Sequence, residues 1–189
     1  MNQHTDTAKW LQYLLYVGIA ALVSSLLGIF GLGGLSRWIG LALGAAALYL
    51  MFRLIGSNGR YQKAVLFSGV SLVISLLNIQ LVALAGSICA IVGQYQEYLA
   101  HGELIADRDP KLAEKWSGLF WLQFGVELIT VLLMGLIVGI LVAAANMEAA
   151  VVTALITVIA AVLSVILKVL YLSYLKQTIA LLESEIVVE

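Results

Sequence analysis

The sequence predicts an all-α protein that crosses a membrane several times, and three observations support this fold class. Of the 189 residues, 62% are hydrophobic and only 11% are charged, and the mean hydropathy is +1.05. Several apolar runs approach the ~20 residues that a helix needs to cross a hydrocarbon core about 30 Å thick. The runs lack the strict alternation of transmembrane β-strands, and a backbone in lipid must satisfy its own hydrogen bonds. The runs are therefore predicted to be helices.

Five apolar blocks follow one another along the chain: Trp10–Phe30, Trp38–Ile55, Ala64–Gly93, Gly118–Ala145 and Ala149–Tyr174. The third block is too long for one untilted span, and Asn78 and Gln80 interrupt its middle. This block is either one long helix with two amides in lipid or two short helices joined by a turn at 78–80. The first choice gives five spans in total and the second gives six.

The distribution of basic residues favours six spans, because Lys and Arg accumulate on the cytoplasmic side of a membrane. With five spans, four basic residues would face one side and six the other. With six spans, every Lys and Arg among the 10 except Arg37 falls on the side of the N-terminus. We therefore predict three sequential helical hairpins in the cell (cytoplasmic) membrane, with both termini cytoplasmic. Five spans with one long third helix is the alternative.

Two segments are predicted to lie outside the bilayer. Residues 99–117 form the longest polar stretch, and Asp109 followed by Pro110 is typical of a helix start. This stretch is predicted to be a cytoplasmic or interfacial loop and helix. Residues 175–189 carry apolar residues at helical spacing among charges, which predicts a cytoplasmic amphipathic tail. Four aromatic residues are expected at headgroup depth: Trp116, Trp121, Tyr171 and Tyr174.

Two ionisable residues, Glu127 and Lys168, lie within predicted spans, where charges are costly. Glu127 precedes the last predicted turn, near Met147, by 20 residues, and Lys168 follows it by 21. An antiparallel pair of helices would bring the two to one level, about 30 Å from that turn. We predict an ion pair between them, as a structural clasp near the inner boundary of the membrane in preference to a proton or ion relay.

Polar and small residues inside the blocks predict contacts between helices. The polar residues either bond across helices or line a cavity, and the candidates for a cavity are Ser71, Ser75, Asn78, Gln80 and Gln123. Small residues let membrane helices approach closely. The predicted packing positions are Gly40, Gly44, Gly86, Ala90, Gly135 and Gly139.

The residue inventory argues against most kinds of chemistry. A net charge of −1, with no basic cluster beside aromatics, argues against nucleic-acid binding. Cys89 is the single cysteine, and the two histidines are His4 and His101. Glu97 lies one helical turn before His101, but no further ligand completes a metal set. We expect no metal, no cofactor and no catalytic residue, and therefore no enzymatic activity.

Two functions agree with this inventory. The first is a non-enzymatic helical scaffold or accessory subunit, whose partners are the lipid bilayer and another membrane or cytoplasmic protein. The second is a small-molecule transporter, or the membrane-embedded substrate-binding subunit of an uptake transporter, with its ligand in a partly polar cavity between helices. The chain is similar to the vitamin-binding subunits of bacterial uptake transporters in size alone. A ligand-sized cavity would favour the second function, and a sealed interior would favour the first.

Overall fold

The structure, a computed structural model, is a bundle of six α-helices. It describes residues 3–29, 33–77, 80–144 and 147–186, and the regular structure in these ranges is helical throughout. The helices are α1 (Gln3–Ile29), α2 (Gly33–Arg53), α3 (Arg60–Leu77), α4 (Gln80–Glu103), α5 (Pro110–Ala144) and α6 (Met147–Ile186).

Among the described residues, four helices contain segments that are long and apolar enough to cross a membrane. These segments are Asp6–Leu26 in α1, Gly34–Arg53 in α2, Pro110–Leu136 in α5 and Val151–Ser184 in α6. The prediction of an all-α fold with membrane-type helices is thereby confirmed. Helices α5 and α6 contain 35 and 40 residues, so they extend about 52 and 60 Å. Each is longer than a hydrocarbon core of about 30 Å.

The long third apolar block forms two helices. Helix α3 ends at Leu77 and α4 begins at Gln80, while Asn78 and Ile79 lie outside the described residues. The two helices run antiparallel, since Gly86 of α4 meets Ile74 of α3 while Tyr61, at the start of α3, meets His101, near the end of α4.

Each helix packs against its neighbours in sequence, and α1 also packs against α6. The six helices therefore form a closed ring. A glycine makes one of these contacts possible, because a Cβ atom at Gly18 of α1 would lie 2.7 Å from Cδ2 of Leu172 in α6. Ser24 and Ser36 join α1 to α2 through the Ser36 hydroxyl, which donates to the Ser24 carbonyl at 2.9 Å.

The packed core lies at one end of this ring. It combines the first turns of α1 and α3, the last turns of α2, α4 and α6, and the beginning of α5, with Leu11, Leu54, Tyr61, Ile105 and Trp116 fully buried. Large apolar residues are exposed toward the opposite end. Examples are Leu77, Leu84, Leu136, Val151 and Leu155. A surface of this kind suits lipid, while the packed end resembles the interior of a water-soluble protein.

The two segments predicted to lie outside the bilayer are parts of long helices. Helix α4 continues to Glu103, and α5 begins at Pro110 as the sequence predicts, with the Leu112 amide donating to Oδ1 of Asp109 at 2.9 Å. The tail continues α6 as far as Ile186, and residues 187–189 lie outside the described ranges. Its apolar face is buried in the core through Leu175, Ile179 and Leu182.

The predicted packing glycines differ in their surroundings. A Cβ atom at Gly86 would lie 2.8 Å from Cγ2 of Ile74, and one at Gly44 would lie 3.5 Å from Cδ1 of Leu72. At Gly40 and Gly135 an added Cβ would meet no described atom within 4 Å, so neither makes a close helix contact here. Gly139 lies among the residues whose side-chain surroundings are not described.

Candidate functional site

A cavity of about 860 Å³ lies between α4, α5 and α6, beyond the packed core. Its volume is within the range of about 300–1,000 Å³ typical of small-molecule sites. Most of the wall is apolar and includes Leu84, Ile91, Phe124, Val131 and Leu167. Seven polar side chains interrupt this wall: Ser87, Gln94, Gln123, Glu127, Thr130, Ser164 and Lys168.

Helical periodicity explains how the polar groups reach one cavity. Residues four apart lie on the same face of a helix, so Gln123 and Glu127 share a face of α5. Ser164 and Lys168 share a face of α6 in the same way. Ala90 of α4, predicted as a packing position, also lines the cavity. Its small side chain leaves space there.

The cavity contains one anionic and one cationic group, and their hydrogen-bond partners differ. The Gln123 amide donates to Oε1 of Glu127 at 3.0 Å, and Nζ of Lys168 donates to the Ser25 hydroxyl of α1 at 2.7 Å. Among the described residues, Glu127 and Lys168 are not hydrogen-bonded to each other, although both line the cavity and both are exposed. Both charges are therefore available to a ligand.

A tyrosine in the core orients the amide that contacts Glu127. The Tyr98 hydroxyl donates to Oε1 of Gln123 at 2.7 Å, which turns the amide nitrogen toward Glu127. Tyr98 is buried against the rings of Trp116, Phe120 and Tyr171. The anionic end of the cavity is thus held by a hydrogen-bond chain that starts in the rigid part of the bundle.

A second polar cluster lies inside the packed core. His101 is fully buried, with Nδ1 2.7 Å from the Tyr61 hydroxyl and Nε2 3.6 Å from Oε1 of Glu97. The Tyr171 hydroxyl donates to the same carboxylate oxygen at 2.7 Å. The four side chains come from α3, α4 and α6, so the cluster ties three helices together.

The protonation of this cluster follows from its surroundings. Tyr61 precedes the apolar block that begins at Ala64, and burial, followed by the charge of Glu97, raises the pKa of its hydroxyl. Tyr61 therefore keeps its proton, and its hydroxyl is hydrogen-bonded to Nδ1 of His101. Nε2 of His101 faces Glu97 and lies 3.4 Å from the Tyr171 hydroxyl. All four groups are satisfied without bulk water, which is typical of a structural network.

The four aromatic residues predicted at headgroup depth differ in their exposure. Trp116 is fully buried, and its indole nitrogen donates to the Thr178 hydroxyl at 3.1 Å. Tyr171 belongs to the histidine cluster, and the ring of Tyr174 packs 5.9 Å from that of Trp116. Trp121, 58% exposed, is the one of the four that faces outward. Trp116, Tyr171 and Tyr174 therefore pack between helices.

The structure brings together part of the predicted polar set. Gln123 lines the cavity, whereas the Ser75 hydroxyl donates to the Ser71 carbonyl of its own helix at 3.0 Å. Asn78 and the side chain of Gln80 lie outside what the structure describes. Ser71 and Ser75 therefore do not line the cavity, which lies between α4, α5 and α6.

The sequence predicts some of the contacts in these two sites and not others. Glu97 and His101 lie one helical turn apart, so their shared helix face is predictable, but their partners Tyr61 and Tyr171 are distant in sequence. Ser164 precedes Lys168 by four residues, which places both on one face of α6.

Neither a group of metal ligands among the described residues nor a similar known protein points to a function. Within the described ranges, no three His, Cys, Asp or Glu side chains are grouped closely enough to hold a metal ion. Comparison of the chain with protein-family models, with curated proteins and with solved structures finds no match.

Proposed function

We propose that this protein is a six-span protein of the cytoplasmic membrane that binds a small molecule in the cavity between α4, α5 and α6. It acts as a small transporter or as the membrane-embedded binding subunit of one, with a second membrane or cytoplasmic protein as a partner. The observation that carries this proposal is the cavity itself, which is large, mostly apolar and lined by one carboxylate and one ammonium group.

The proposed topology is three sequential hairpins with both termini in the cytoplasm. It rests on the basic residues, since all of them but Arg37 would then lie on the cytoplasmic side. The packed core would lie on that side. The parts of α5 and α6 that extend beyond the bilayer would belong to this core and contact its polar residues. The cavity would then be within the bilayer, with its charged groups near the inner boundary.

The alternative function, a non-enzymatic scaffold, requires dry contacts between helices and no chamber. Charged groups facing an apolar cavity are costly in a membrane unless water or a ligand contacts them. A scaffold could use Lys168, which joins α6 to α1 through Ser25, but it gains nothing from Glu127, whose partner Gln123 belongs to the same helix. Ligand binding explains both residues, so it is the better-supported function, and the proposal assigns no chemical reaction to the protein.

A matched pair of variants in α4 tests ligand binding. Ala90→Phe would fill the cavity, whereas Ala85→Phe changes an exposed residue on the same helix that does not line it. We expect at least one compound from a panel of metabolites and lipids to raise the Tm of the wild-type protein in detergent. The same compound should raise the Tm of the Ala85→Phe variant and leave that of Ala90→Phe unchanged.

A second cavity variant controls for the possibility that Ala90→Phe loses binding because it misfolds. Ser164→Phe fills the chamber from α6 and should also abolish the ligand-dependent shift. If no compound shifts the wild-type Tm, or if both cavity variants respond like the wild type, the proposed binding site is wrong.

A further inference from the structure

We propose that the occupant of the cavity is a zwitterionic membrane lipid with a primary ammonium group, of the phosphoethanolamine class. This inference rests on the proposed function and specifies the ligand of the same site. Its basis is the combination of one carboxylate, one ammonium group and an adjoining apolar groove along the same helices.

The position of the charged groups along the helices favours a lipid headgroup. Lys168 lies 21 residues after Met147, the first residue of α6, which corresponds to about 32 Å along the helix. Glu127 lies 17 residues before Ala144, the last residue of α5, or about 26 Å. Both distances approach the thickness of a hydrocarbon core. The two charges therefore lie near the depth at which lipid headgroups begin.

The remainder of the cavity suits apolar chains. It extends along α4 from Gln94 to Leu84, a length of about 15 Å toward the exposed apolar end of the bundle. An apolar groove of about 200 Å³ between α5 and α6 adjoins it on the same side and shares Val126 and Ala160. A water-soluble zwitterion would leave these surfaces unused.

The hydrogen-bonding properties of Glu127 and Lys168 determine which lipid headgroup fits the cavity. A carboxylate such as Glu127 accepts hydrogen bonds, so it prefers a primary ammonium group, which has N–H donors, to a quaternary one, which has none. Lys168 donates to Ser25 through one of its three N–H groups, which leaves donors for a phosphate. A headgroup with both charges neutralises the site, whereas an anionic lipid would leave Glu127 facing a like charge.

Lipids that differ only in the head test this inference. The purified full-length protein, delipidated in a non-ionic detergent, is titrated with lysophosphatidylethanolamine, lysophosphatidylcholine or lysophosphatidylglycerol of one acyl chain length. Thermal unfolding is followed to obtain apparent affinities. We expect the ethanolamine lipid to bind about tenfold more tightly than the choline lipid, the effect of one charge-assisted hydrogen bond. The glycerol lipid should bind more weakly than the ethanolamine lipid as well.

Two matched pairs of variants locate the recognition. Glu127→Gln should reduce the preference for the ethanolamine lipid about tenfold, because it removes the charge that binds the ammonium group. Lys168→Gln removes the donor to the phosphate, which all three lipids carry, so it should weaken the binding of all three about tenfold and keep their order. Glu114→Gln on α5 and Lys176→Gln on α6 remove exposed charges that do not line the cavity, and they should retain the preference.

The remaining outcomes separate this inference from the proposed function. Equal binding of the three lipids, or a preference for the ethanolamine lipid that survives in Glu127→Gln, would overturn the assignment of the headgroup. If no lipid binds but another compound shifts the Tm and loses its effect in Ala90→Phe, the lipid class is wrong and the cavity remains a ligand site. If no compound of any kind binds, both proposals fail.

Discussion

Replacing Trp116 with alanine is expected to lower the free energy of unfolding by about 3–5 kcal/mol, the range for large aromatic residues in cores. The indole ring is fully buried, and it packs against His101 and Tyr98 with ring centroids 4.7 and 5.6 Å apart. The change also leaves the buried Thr178 hydroxyl without its indole donor. Unfolding of the purified protein by denaturant in mixed micelles measures this loss.

Trp121→Ala is the matched control for this experiment. Trp121 belongs to the same helix but is 58% exposed, so its removal should cost less than about 1 kcal/mol in detergent. If the two variants lost similar stability, the indole of Trp116 would not be in the interior, and the packed core at this end of the bundle would be wrong.

Gly93→Leu is expected to destabilise the protein by about 3 kcal/mol, the upper end of the usual range for overpacking. A Cβ atom at Gly93 would lie 3.0 Å from the backbone nitrogen of Ser68 and 3.3 Å from its Cα. Backbone atoms cannot rotate away as a flexible side chain can, so α3 and α4 must separate. The same unfolding measurement applies, and loss of the Tyr61–His101 contact should follow because it joins the same two helices.

Gly69→Leu on α3 provides the control, because a Cβ atom there would meet no described atom within 4 Å. It should be neutral or stabilising by up to about 0.8 kcal/mol, since leucine favours a helix more than glycine does. A Gly93→Leu variant as stable as Gly69→Leu would contradict the close pairing of α3 and α4.

The elements of this fold could be predicted because they depend on local properties of the chain. The length and continuity of the apolar runs indicate helices, and the amides Asn78 and Gln80 mark the interruption between α3 and α4. The start of α5 was equally predictable, because an Asp109 cap followed by Pro110 has a local physical cause. No tertiary knowledge is needed for any of these features.

The sites could be predicted only in part, because they depend on which faces of the helices contact one another. Glu127 and Lys168 were identified by the cost of charge in lipid, and they line the same cavity, but Gln123 and Ser25 are their hydrogen-bond partners. Counting residues from the turn between two antiparallel helices predicts which residues lie side by side along those helices. It does not predict which side chains of a third helix, such as α1, contact them. Trp116 shows the same limit, since its position predicted an interfacial anchor and the packing of α4 and α6 buries it.

The most direct test of the account is the location of the two loops that flank α3 and α4. In a Cys89→Ser background, single cysteines are introduced at Gly59, before α3, at Asp107, after α4, and at Gly34, at the start of α2. A membrane-impermeant thiol reagent is then applied to intact and to opened cells. We predict that Gly34→Cys reacts in intact cells, while Gly59→Cys and Asp107→Cys react only after the membrane is opened. Reaction of Gly59→Cys and Asp107→Cys from opposite sides would show that α3 and α4 do not each cross the bilayer, and the proposed intramembrane cavity would be contradicted.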